Sequence, residues 1–139
     1  MNECDFNMKA APIQWAYKTP HVLDQMATNV YSANKAQGFW EDTEAAIKSA
    51  DTASSPTIKA YTAQKLMLIV SEVSEALEAD RKDLLDSHLP EYPGLQVELA
   101  DAIIRILDMC GGYNIPIGEI VEAKLEYNAS RPFKHGKAY

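Results

Sequence analysis

Apolar residues that recur every three to four positions, in segments closed by proline and glycine, constrain this chain more than any other feature. The longest such segment opens at Ser55-Pro56 and reaches roughly Lys82. Within it Ile58, Leu66, Ile69, Val70, Val73 and Leu77 keep the helical period, while Lys59, Lys65, Glu78 and Arg81 are left for water. Such spacing gathers side chains on one stripe of a helix but would scatter them over both faces of a strand. No period-2 run of useful length is present. The expected fold is therefore all-α.

The remaining segments follow the same logic. Thr19-Pro20 offers a hydroxyl cap and a proline suited to the first helical position, and Val22, Leu23, Met26, Ala27, Val30 and Ala33 carry a helix to about Gln37, closed by Gly38. Trp40 to Ala50 suits a short helix. After the break at Pro90, Pro93 and Gly94, a third long helix fits Leu95 to Cys110, with Gly111-Gly112 as its expected stop. Pro116 starts a fourth, whose expected buried face is Ile117, Ile120, Val121 and Leu125, and which gives way before Pro132. Four main helices with short connections describe a helical bundle. Residues 1–18 read as an N-terminal arm, 19–131 as the domain and 132–139 as a C-terminal tail. A bundle of this size has a limited core, so its apolar faces are expected to be completed by association of copies into a homo-oligomer.

Charge narrows the possible partners. The formal net charge of −7 argues against a nucleic-acid polymer, whose phosphates call for a Lys/Arg surface. A small polyphosphate is still compatible, provided divalent cations stand between it and the carboxylates. Cys4 and Cys110 are far apart and form no CxxC pair, which suggests a reducing, cytoplasmic setting. No stretch approaches the roughly 20 apolar residues that span a bilayer, so no membrane partner is expected.

Four acids stand out. Glu72 and Glu75 lie on the longest helix, Glu98 and Asp101 on the next, and each pair is spaced i, i+3. Residues three apart project from nearly the same face, so two antiparallel helices would bring four carboxylates together. Their neighbours are apolar: Ile69, Val70, Val73, Ala76 and Leu77 around the first pair, Leu99, Ala100 and Ala102 around the second. Clustered negative charge in poorly solvated surroundings takes up protons or recruits cations. All-oxygen ligands suit Mg²⁺, with Mn²⁺ as a substitute. The plainer reading is a solvated acidic face, since glutamates at this spacing are common on helix surfaces.

Ser71-Glu72-Val73-Ser74-Glu75 followed by Glu98-Leu99-Ala100-Asp101 resembles the ExxE…ExxD signature of the MazG-type all-α nucleotide pyrophosphohydrolases, and the similarity extends over roughly residues 20 to 135. The resemblance implies Mg²⁺-dependent hydrolysis of nucleoside triphosphates to the monophosphate and pyrophosphate, by a homodimer or homotetramer concerned with nucleotide-pool cleaning. It implies that Glu72, Glu75, Glu98 and Asp101 ligate the metal and carry catalysis, and that Lys124, Asn128 and Arg131 face the phosphates. Many family members carry a further Glu where this chain has Ser71, which leaves the general base unassigned. Lys124 and Asn128 are i, i+4 neighbours, although a basic helix end that complements the dipole would account for Lys124 and Arg131 equally.

A nucleotide enzyme also needs a flat wall for the base. Phe39 and Trp40, just past the first helix, are the expected candidates; packing of the bundle is the alternative for both. Other chemistries fit less well. His21, His88 and His135 are scattered, which disfavours zinc, and di-iron bundles expect Glu-x-x-His pairs that are absent here. The non-enzymatic alternative is a helical dimerisation or interaction module.

Overall fold

The structure, a computed structural model, describes residues 21–51 and 55–131. The arm at 1–18, the Thr19-Pro20 start and the tail at 132–139 lie outside the described residues. Five helices follow in order: α1 Val22–Ala36, α2 Glu41–Ser49, α3 Pro56–Arg81, α4 Gly94–Gly112 and α5 Ile117–Ala129. Among the described residues the only extended pairing is an isolated bridge between Leu85 and Pro93, which pinches the α3–α4 loop at its base. The all-α expectation holds. Helix α4 is the hub, with α3 along one side and α1 along the other; α5 leans on α1 and α2 on α3.

Three helices end by the same device. At each end one residue adopts a left-handed conformation: Gly38 after α1 (φ 88°), Asp83 after α3 (φ 49°) and Asn114 after α4 (φ 53°). The next residue then donates its N–H back to the final turn, Phe39 to the Asn34 carbonyl (3.2 Å), Leu84 to Ala79 (3.0 Å) and Ile115 to Cys110 (2.9 Å). These are Schellman caps, which satisfy carbonyls that the helix leaves without partners.

The caps correct one expectation. Gly111 and Gly112 do not stop α4; they form its last turn, and Asn114 stops it. Their lack of side chains serves packing instead. A Cβ on Gly111 would collide with the Ala27 carbonyl of α1, and one on Gly112 with the Trp40 ring. Ala27, Leu107 and Cys110 consequently form a close-packed cluster between α1 and α4, flanked by Val30, Ile115 and Ile117.

A second correction concerns the buried face of α3. That face is Glu72, Ala76 and Ala79, whereas Leu66, Val70, Val73 and Leu77 are 49–59% exposed. On α4, Leu99, Ile103 and Ile106 are likewise 39–54% exposed, and on α5 so are Ile120 and Leu125. Small residues let α3 approach α4 closely, and the larger apolar side chains are left on a flank that no described element covers.

Candidate metal centre and adjoining cavity

Helices α3 and α4 run antiparallel, so Lys65 meets Asp108, Glu72 meets Arg105 and Ala79 meets Gly94. On α4 the facing polar residues are Glu98, Asp101, Arg105 and Asp108, spaced 3, 4 and 3 along the sequence, which keeps them on one stripe. A seam between two helices that is usually apolar is here built of charge.

At one end of this seam Glu72, Glu98 and Asp101 each bring a carboxylate oxygen within 4.8 Å of the others. Glu72 is buried, and Glu98 and Asp101 are half-buried. Arg105 donates from Nε to Glu72 Oε1. Glu98 is pushed above the ordinary glutamate range, first by burial, then by the hydrogen bond it shares with Glu72, then by the charges of Glu75, Glu72 and Asp101. Glu75 itself is exposed and outside the trio; its charge nevertheless bears on Glu98. Three of the four expected carboxylates therefore converge. Hard oxygen donors under mutual repulsion, with one guanidinium as partial counter-charge, fit an oxygen-seeking divalent cation.

Next to the trio lies a cavity of about 400 Å³, within the size range of small-molecule sites. Asp101 and Arg105 border it on the side of the carboxylates. Phe39, Leu68 and Ile104 supply its apolar wall, and Phe39 is 72% exposed. Lys65 and Asp108 lie at the other end, with Asn34, Thr43 and Gln64 at the margin.

Trp40 is placed otherwise than expected for a base platform. It is 1% exposed, donates from Nε1 to Asp108 Oδ1 at 2.8 Å and sits edge-on to Tyr31 and Tyr113. The Lys65 ammonium lies 3.6 Å from its ring centroid. The ring face that a base would stack on is taken by a cation, so Trp40 is a core residue and Phe39 alone of the pair reaches the cavity.

Lys124, Asn128 and Arg131 are all exposed along α5 and its end, and none lines the cavity. Lys124 and Arg131 lie over the Tyr127 ring. Since α5 leans on α1 and the carboxylates lie between α3 and α4, one chain does not assemble these residues with the trio.

Sequence reading missed Arg105, Lys65 and Asp108 as site residues. The 3, 4, 3 spacing of the α4 acids and Arg105 was the available signal; nothing in the sequence pairs Lys65 with Asp108, 43 positions away. No protein-family model matches the chain, and neither curated proteins nor solved structures yield a significant match.

Proposed function

We propose that the protein is a Mg²⁺-dependent hydrolase of nucleoside triphosphates, releasing the monophosphate and pyrophosphate. The observation that carries the reading is the convergence of Glu72, Glu98 and Asp101 beside a cavity of nucleoside size. Such acids repel polyphosphate on their own and attract it once cations lie between them. Mg²⁺ or Mn²⁺ held there would neutralise the phosphate oxygens and orient an in-line water. The protein's part is positional: two packed helices hold the carboxylates more rigidly than loops would. Arg105, which pairs with Glu72 and borders the cavity, would share the charge of the phosphates, and Phe39 would give the base an apolar wall. In this reading Lys124, Asn128 and Arg131 reach the phosphates from a neighbouring copy of a homodimer or homotetramer.

The test is pyrophosphate release from a panel of nucleoside triphosphates, with Mg²⁺ and with chelator, for wild type and Glu98→Gln. We expect metal-dependent release that falls at least about 100-fold in the variant, the scale of losing an electrostatic contact made in the transition state. Release unchanged by chelator or by the substitution would refute the reading. The exposed apolar stripes of α3 and α4 also favour a second reading, a helical interaction module without activity. A folded, self-associating protein that hydrolyses nothing in the panel would establish that alternative.

A further inference from the structure

We propose that Lys65 and Asp108 read the base of the bound nucleotide. The pair selects lactam bases, which present a carbonyl beside a ring N–H, over bases that present an amino group beside a bare ring nitrogen. The inference rests on the nucleotide reading above and concerns the far end of the same cavity.

The pair is built into the interior. Lys65 Nζ lies 3.4 Å from Asp108 Oδ2, and the two side chains are only 14% and 12% exposed, yet both border the cavity. An ammonium has three hydrogens and no lone pair. One hydrogen of Lys65 is directed to Asp108 and the Trp40 face occupies a second direction, which leaves a third for the cavity. Asp108 accepts from Trp40 on one oxygen and from Lys65 on the other, and each oxygen keeps a second lone pair. The cavity therefore ends in a donor-only group beside an acceptor-only group.

Uracil, thymine, guanine and hypoxanthine carry the complement of this pair, a carbonyl oxygen for Lys65 and a ring N–H for Asp108. Cytosine and adenine carry the reverse, so their amino hydrogens would face the ammonium and their ring lone pair the carboxylate. Asn34, Gln64 and Thr43 cannot make this choice, because an amide turns over and a hydroxyl rotates to suit either partner. Orientation follows from α4. Asp101 and Asp108 are two turns apart, about 10 Å along the helix, which places the phosphates at the carboxylate trio when the base edge meets Lys65.

The test is a calorimetric titration of the full chain, in Mg²⁺, with the α,β-imido analogues of dUTP, dCTP, dITP and dATP. The uracil analogue should bind about 100-fold more tightly than the cytosine one, and hypoxanthine should exceed adenine similarly, as expected where a wrong edge leaves buried polar groups unpaired. Lys65→Gln should shrink both ratios below about tenfold, since its amide can present either edge; a purely structural lysine would alter all four affinities alike. Ratios near one or inverted in wild type, ratios kept by Lys65→Gln, or binding of none of the four would overturn the proposal. Should the variant not fold, the wild-type ratios decide. Pyrophosphate release from the parent nucleotides separates the two readings. Lactam-selective binding without hydrolysis upholds recognition and refutes the reaction, whereas hydrolysis indifferent to the base does the opposite.

Discussion

Glu98 carries the strain of the candidate site in a measurable form. Burial and the acids around it hold its proton on the folded protein to higher pH than the ordinary glutamate value of about 4.3. Between the unfolded and folded titrations the native state binds more protons, so stability falls as pH rises through that window. In chelator, the thermal midpoint of wild type should therefore decline relative to Glu98→Gln as pH is raised from about 4 towards neutrality, and added Mg²⁺ should narrow the gap. Parallel profiles of the two proteins would show that Glu98 titrates normally and that the trio is not a site of repulsion. The same scale explains Trp40: its indole N–H needs a buried acceptor, and Asp108 provides one at 2.8 Å, which commits the ring to the core.

At the scale of elements, the starts of α3 at Pro56 and of α5 after Pro116, and the end of α3 near Lys82, were legible, but the residues that turn the chain after α3 and α4 were not. Gly38 announces the end of α1, because glycine takes the left-handed conformation without a steric cost. Asp83 and Asn114 take it too, and nothing in their side chains requires it; the chain must turn there for α4 to run back along α3 and for α5 to reach α1. Asp83→Gly should relieve that strain and stabilise the protein by about 0.5–1 kcal/mol, measured by chemical denaturation. A loss of stability would mean that the Asp83 side chain contributes more than its backbone costs. Helix α4 shows the converse. Its glycines read as a stop, yet they lie where α1 and Trp40 approach most closely, a contact between elements that the local sequence does not reveal.

For the whole molecule, the flank formed by α3 and α4 is decisive. Leu66, Val70, Val73 and Leu77 repeat at intervals of 4, 3 and 4, and Leu99, Ile103 and Ile106 at 4 and 3, the spacing of a helix seam. All seven are 39–59% exposed, and apolar side chains gathered on one exposed face mark an interaction surface. We expect wild type to sediment as a dimer or larger, and Val73→Glu combined with Ile103→Glu to sediment as a monomer of unchanged helicity, since neither position is buried within one chain. A monomeric wild type at tens of micromolar would dissociate this flank from self-association and return it to another partner. No helix among the described residues is long and apolar enough to cross a membrane.

The sequence alone determined the class of structure, because the 3.6 period and its proline and glycine breaks are local properties that each segment expresses without its neighbours. It also picked out the acids, since the i, i+3 spacing fixes a shared face on any helix. Which faces meet was decided only by the tertiary structure. Period tells that Glu72 and Val73 point in different directions, but not that the glutamate faces inward; that depends on Ala76 and Ala79 letting α4 close in, and on Arg105 being there to neutralise it. The pairing of Lys65 with Asp108, and with it the donor and acceptor at the end of the cavity, arises from two helices laid antiparallel. A contact between residues 43 apart has no signature in the spacing of either helix.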